Sequence, residues 1–226
     1  MVRTDELIKK DVIDQLIRDG RVDASKVNVE VNNGTATLRG NVPTYLSKSS
    51  AHADAQEILG VTRVINQLAI KYPPTIPVPT DLEIENDIKN RLATNPDIDL
   101  IDMEVIVSSG RVTLRGTVDA FWKKLHAEHL AFTEPGVEEV ENLLAVVPTA
   151  NITDKAIAED IVDSLESKAA VNADDVEVKV TDGEVTLTGS VTSWSGWQAA
   201  GEAAFYTPGV IHVSNRLEIT SLEELG

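Results

Sequence analysis

One nine-residue phrase occurs three times: GTATLRGNV at Gly34–Val42, GRVTLRGTV at Gly110–Val118 and GEVTLTGSV at Gly183–Val191. A longer register surrounds it. Gly34, Gly40 and Gly60 are spaced 6 and 20 apart, and Gly110, Gly116, Gly136 and Gly183, Gly189, Gly209 repeat that spacing. Six residues beyond the third glycine stands an asparagine each time: Asn66, Asn142 and Asn215. The copies are offset by 76 and then 73 residues. Solenoid repeats run at about 20–50 residues, so this longer period predicts tandem small domains. Their expected bounds are 1–72, 79–148 and 152–221. The joints are KYPPTIPVP (Lys71–Pro79) and VPTANIT (Val147–Thr153). Four prolines make the first an extended, semi-stiff spacer.

Each unit reads helix, strand, strand, helix, strand. Apolar residues at i, i+4, i+8 (Ile8, Val12, Leu16; Ile84, Ile88, Leu92; Ile157, Ile161, Leu165) give the first helix a stripe that can face a sheet. A Thr-Asp pair precedes each stripe (Thr4-Asp5, Thr80-Asp81, Thr153-Asp154). The threonine suits an N-cap and the acid the positive end of the helix dipole. Thr80 and Glu83 have capping-box spacing. Strict alternation then leads into Asn33-Gly34, Ser109-Gly110 and Asp182-Gly183, where a hairpin bend is predicted. Alanine pairs (Ala51 and Ala55, Ala127 and Ala131, Ala200 and Ala204) let the second helix approach the sheet closely, and it stops at Gly60, Pro135-Gly136 or Pro208-Gly209. A third strand follows through Val64, Leu68 and Ile70, through Val140, Leu144 and Val146, and through Val213, Leu217 and Ile219. The expected class is α+β: three tandem αββαβ sandwiches, each with its helices on one face of a three-stranded mixed sheet.

The order αββαβ, the phrase G-x-V/A-T-L-x-G-x-V and the later P-G-V-x-x-V-x-N-x-L resemble the BON domain family over almost the whole chain, with Leu59-Gly60 replacing Pro-Gly in the first unit. The resemblance implies a non-enzymatic bacterial protein of the envelope or the osmotic-stress response. It further implies association with phospholipid surfaces, and in some members with potassium.

Composition narrows the partners. Net charge is −17, divided as +1 over residues 1–78, −8 over 79–150 and −10 over 151–226. Such a chain is repelled at long range by nucleic acid and anionic lipid, so no nucleic-acid partner is expected. Cysteine is absent, which excludes disulfides. No apolar run reaches the ~18 residues of a membrane-spanning helix. No secretory signal is recognisable in MVRTDELIKKDVIDQLIRDG, which favours the cytoplasm, or the periplasm and envelope if a signal has been removed.

Catalysis by a repeated site would need a repeated acid, base or nucleophile. Apart from glycines and aliphatics, the repeated residues are Thr37/Thr113/Thr186, Asn66/Asn142/Asn215, the cap threonines, Asp5/Asp81/Asp154 and Asp11/Asp87/Asp160. The two aspartate sets lie six residues apart, about 120° around a helix, and cannot share a proton or metal. No histidine, cysteine or lysine recurs, so no enzyme and no cofactor are expected, and the glycines and asparagines are read as structural. His126 and His129 have metal-ligand spacing without a third ligand, and a solvated helix face is the favoured reading. Asp97, Asp99 and Asp102 lack the calcium-loop pattern and read as a solvated loop. His52 and His212 have no partner legible in sequence.

The aromatics single out a surface. Tyr45, Phe121 and Trp194 occupy one equivalent position just after the hairpin, with Trp122 and Trp197 beside them, in a chain only 4% aromatic. These five are the candidate partner-binding residues, on a phospholipid or protein surface, against the alternative that they cover the end of each small core. The expected function is a multi-BON binding or scaffold protein. A self-associating protein with unlike ends that meet head to tail, and a potassium-responsive module, are its alternatives.

Overall fold

The computed structural model describes residues 3–72, 77–96, 98, 100 and 102–220. The first repeat runs α1 (Asp5–Arg18), β1 (Val27–Asn32), β2 (Thr35–Val42), α2 (Tyr45–Gln56), β3 (Arg63–Ile70). The second runs α3 (Asp81–Thr94), β4 (Met103–Ser108), β5 (Arg111–Val118), α4 (Phe121–Phe132), β6 (Glu139–Val146). The third runs α5 (Asp154–Glu166), β7 (Val176–Thr181), β8 (Glu184–Val191), α6 (Trp194–Phe205), β9 (His212–Asn215), β10 (Glu218–Ile219). This is the αββαβ order three times, an α+β chain of repeated domains. The prolines at 73 and 74 in the first joint, and Asp97 and Asp99 of the acidic loop, lie outside the described residues.

Each sheet is mixed, with the second strand in the middle. In the first, β1 pairs antiparallel with β2 (Val29 opposite Leu38) and β3 runs parallel to β2 (Leu38 opposite Asn66). The third departs from expectation, because its last strand is in two pieces. Both run parallel to β8: β9 along residues 184–187 and β10 along 190–191. Leu217, between them, is still buried, and its N–H is held by the Asn215 side chain at 3.2 Å. The ladder is interrupted while the inward side chain stays in place.

The bends form at the three predicted steps. Asn33 (φ 47°) and Gly34 (φ 71°) both sit in the left-handed region, as do Ser109-Gly110 and Asp182-Gly183. Two consecutive positive φ values define the two-residue turn whose twist matches paired strands. Gly40, Gly116 and Gly189 answer a different need. A β-carbon there would lie 2.0, 1.8 and 2.1 Å from the carbonyl oxygens of Lys26, Asp102 and Asp175. The second glycine of the phrase admits another stretch of backbone.

The stripe residues of α1 bury as expected: Ile8, Val12 and Leu16 share one core with Val29, Ala36, Leu38, Ala51, Ala55 and Leu68. Ile157, Ile161 and Leu165 do the same in the third repeat, with Leu187, Ala200, Ala204 and Leu217. Ile84, Ile88, Leu92, Leu114, Ala127 and Leu144 are buried at the matching positions of the second. Contacts divide the chain into two compact units: Met1–Asp87, Val107–Val112 and Ala131–Val140 in one, Ile88–Ile106, Thr113–Leu130 and Glu141–Gly226 in the other. The end of α4 therefore belongs with the first repeat and its beginning with the third.

Candidate functional site

The repeated asparagines and first-turn aspartates are all engaged with backbone. Asn66 Nδ2 donates to the Lys48 carbonyl at 2.8 Å while its Oδ1 accepts from Leu68 N–H at 3.1 Å. Asn142 does the same with Lys124 and Leu144, and Asn215 with Trp197 and Leu217. The asparagine thus ties the second helix to the last strand in every repeat. The first-turn aspartates do more than favour the helix dipole. Asp81 accepts from the N–H groups of Ser109 (2.7 Å) and Gly110 (2.9 Å), and those two bonds hold its carboxyl below the usual range, Gly110 contributing most. Asp5 grips Asn33 and Gly34, and Asp154 grips Asp182 and Gly183, in the same way. The clamp spans 28 and 29 residues of chain. Residue spacing alone did not reveal it. The caps form as expected, Thr80 and Glu83 closing a reciprocal box. Repeated side chains therefore have structural employment.

Two private groups behave otherwise. His126 Nε2 lies 2.7 Å from Asn95 Nδ2, and His212 stands edge-on to Phe121 at 5.9 Å. Among the described residues no three or more metal-ligating side chains gather. The other group was invisible in the repeat pattern. Asp54 on α2 is 5% exposed, where the equivalent positions hold Leu130 and Ala203. Gln15 Nε2 reaches its Oδ1 at 3.5 Å, and its Oδ2 has no hydrogen-bond partner among the described residues. Burial, then the neighbouring Asp19 carboxylate, pushes Asp54 up to about 6. Asp19 is held down at about 2 by its paired Arg21, whose Nε donates to both carboxylate oxygens at 2.9 and 3.0 Å.

At the aromatic position just after the hairpin, one repeat meets the next. Tyr45, at the start of α2, stacks flat on Phe132, at the end of α4, with ring centroids 4.2 Å apart and an interplanar angle of 6°. Phe121, at the start of α4, packs on Phe205, at the end of α6, at 5.8 Å, and is buried within the core of the third repeat together with partly buried Leu125. Phe132 and Phe205 are equivalent positions, as are Tyr45 and Phe121. One rule therefore makes both joints: the first residue of the second helix meets the last residue of the following repeat's second helix. Trp122 joins the second of these, 6.3 Å from Tyr206 and 5.7 Å from the Lys123 ammonium. Tyr72 accepts a hydrogen bond from Gly136 N–H at the first.

Trp194 holds the same position in the last repeat. Its ring stacks on Trp197 within its own helix, at 4.5 Å and 8°. Both rings are half-buried, and the Trp194 indole N–H is enclosed without an acceptor among the described residues. A donor left so costs about 1–3 kcal/mol. Sequence reading grouped the five aromatics; the structure sends Tyr45, Phe121 and Trp122 into joints and stacks Trp194 on Trp197 within the third repeat. No helix among the described residues is long and apolar enough to cross a membrane.

Comparison with known proteins agrees with this architecture. The BON domain profile matches residues 4–72, 80–148 and 153–221. The 21 kDa hemolysin of Actinobacillus pleuropneumoniae is 27% identical over 145 residues, covering 63% of this chain and 74% of the hemolysin. Two solved structures of CdsD, a structural protein of the Type III secretion system of Chlamydia trachomatis, align with 97% of this chain. The first is 17% identical over 94% of its own chain with a TM-score of 0.28; the other, a C-terminal domain, is 16% identical over 100% with a TM-score of 0.27. Scores that low carry no argument about function. The profile matches nearly the whole described chain, one match over each αββαβ unit, and the chain belongs to the BON domain family, with three tandem BON domains.

Proposed function

We propose that this chain is a non-catalytic interaction scaffold whose third BON domain offers the Trp194–Trp197 stack to a protein partner. One observation carries the reading. The helix position that docks onto a following repeat through Tyr45 and Phe121 is occupied in the third repeat by Trp194, whose half-buried ring stacks on Trp197 of its own helix. The engagement of every repeated asparagine and first-turn aspartate with backbone supports the absence of catalysis. Aromatic anchors in a part-desolvated setting are what protein interfaces concentrate.

A phospholipid surface is the second reading, favoured by the indole pair and by the name of the hemolysin relative. The charge of −10 on residues 151–226 opposes an anionic bilayer. A photo-crosslinking amino acid in place of the exposed Ser195, between the two tryptophans, separates them in the cell. Protein adducts that vanish in Trp194→Ala support the scaffold, whereas adducts to lipid alone overturn it.

A further inference from the structure

We infer that Asn33 is a site of spontaneous covalent modification, deamidation and isoaspartate formation through a cyclic imide, and that the Asp5 clamp on its bend holds the reaction back. Of the asparagines in the chain, only Asn33 is followed by glycine, whose missing side chain leaves its nitrogen open to the neighbouring amide. Asn33 is exposed, and the same bend position holds Ser109 in the second repeat and Asp182 in the third. A serine hydroxyl offers no carbonyl carbon to attack, so the second bend is inert. In the first, the Gly34 nitrogen attacks the side-chain carbonyl carbon of Asn33. A C–N bond forms there, the bond from that carbon to Nδ2 breaks, and ammonia leaves carrying the proton of the Gly34 N–H. Water then opens the imide at either carbonyl. Opening at the side-chain carbon gives aspartate; opening at the backbone carbon gives isoaspartate, whose main chain runs through the β-carbon and is one carbon longer.

The fold opposes the first step. The N–H groups of Asn33 and Gly34 donate to the two Asp5 carboxylate oxygens at 2.9 and 3.2 Å, and the Gly34 carbonyl accepts from Thr62 N–H at 2.9 Å. A β-carbon on Gly34 would lie 2.8 Å from the Gly60 carbonyl oxygen, so this peptide is wedged as well as tied. In a turn with two consecutive positive φ values, the nitrogen of the second residue lies across the Cα–C bond from the first residue's side chain. The Asn33–Gly34 peptide must therefore swing round before it can react, and that swing breaks the Asp5 bonds. Reaction proceeds through local opening of the bend. The two products then part. Aspartate at 33 reproduces the third repeat, where the N–H groups of Asp182 and Gly183 donate to Asp154 at 2.8 and 2.9 Å. Isoaspartate lengthens the chain between the two N–H groups that Asp5 grips, so the clamp cannot close on it and the first hairpin stays loosened.

The purified full chain, incubated at mildly alkaline pH, tests this by mass spectrometry with fragmentation that separates aspartate from isoaspartate at residue 33. The same chain in urea supplies the rate of the open bend. Folded, Asn33 should react at least about tenfold more slowly than in urea, and Asp5→Ala should recover about tenfold of that difference, giving both products. Asp5→Asn, which keeps an acceptor oxygen without the charge, should fall between. Asp154→Ala removes the clamp of the third repeat and should leave the Asn33 rate where it was. Amide exchange separates the bend from the repeat: in Asp5→Ala, residues 33 and 34 should exchange faster while Val29 and Leu38 in the core stay protected. Asn33→Asp should melt as the unchanged chain does, and the isolated isoaspartate form earlier. A folded Asn33 that reacts as fast as in urea overturns the inference. So does a rate unchanged or lowered without Asp5, or a loss of protection at Val29 and Leu38 that matches the loss at the bend.

Discussion

Asp54→Asn should stabilise the first repeat at neutral pH and do little in acid. The buried carboxyl titrates at about 6 in the fold, raised chiefly by burial and then by Asp19, against about 3.9 in an unfolded chain. A raised acid pKa means that the unfolded state ionises first, so rising pH favours unfolding between those two values. The cost integrates to about 0.5 kcal/mol at pH 4 and just under about 3 kcal/mol at pH 7.5, at 1.36 kcal/mol per unit. Asp19 works oppositely. Held at about 2 by Arg21, it contributes stability above pH ~4 that is lost as pH falls toward 2. An asparagine amide keeps the shape of the neutral acid, donates to the Asp19 carboxylate and cannot ionise. The variant's gain should therefore be about 2 kcal/mol larger at pH 7.5 than at pH 4. In a unit of this size that is roughly 8–16 °C in the midpoint of its thermal transition, followed by circular dichroism on the full chain. Equal gains at both pH values, or a loss at pH 7.5, would refute the assignment of a buried carboxyl whose ionisation is pushed up to about 6.

Three further substitutions probe the shape argument. Gly116→Ala sets a β-carbon 1.8 Å from the Asp102 carbonyl at a φ of 114°; the second repeat should lose roughly 3 kcal/mol or more, seen as a separate early transition in urea. Asp154→Ala removes two charge-assisted bonds to the Asp182–Gly183 bend and should cost about 1–3 kcal/mol, with faster amide exchange at residues 182 and 183 by nuclear magnetic resonance. Phe121→Ala removes a buried ring from the third repeat's core; about 3–5 kcal/mol should be lost from that repeat, although the residue belongs to the second repeat's helix. An unchanged melt of the third repeat would show that the joint is not part of its core.

Backbone requirements were legible in the sequence because they recur. Asn33-Gly34 and its counterparts announced a hairpin bend; Gly40, Gly116 and Gly189 recurred as structural positions, and the backbone approach that requires them is visible only in the fold. Asp5, Asp81 and Asp154 looked like helix-dipole residues, and their grip on a bend 28 residues away belongs to the tertiary fold. The split of the third repeat's last strand was equally hidden, since Val213, Leu217 and Ile219 keep the inward pattern of an unbroken strand. Asp54 was missed for the converse reason: it breaks the repeat, replacing an apolar residue found twice elsewhere. Comparing copies for what differs, at Asp54 against Leu130 and Ala203, is the signal that would have found it.

The same division between shared and private residues separates fold from partner choice. The asparagines and first-turn aspartates common to all three domains are spent on backbone, so they carry no discrimination between one surface and another. Discrimination resides where the copies diverge, and the divergence at one helix start is ordered: Tyr45 and Phe121 each find a ring in the following domain, and Trp194 stacks on Trp197 of its own helix. At the position that receives Tyr45 and Phe121 the order runs Gln56, Phe132, Phe205, a half-buried amide before two rings that each pack on an incoming aromatic, so the same place in the fold holds different chemistry in different copies.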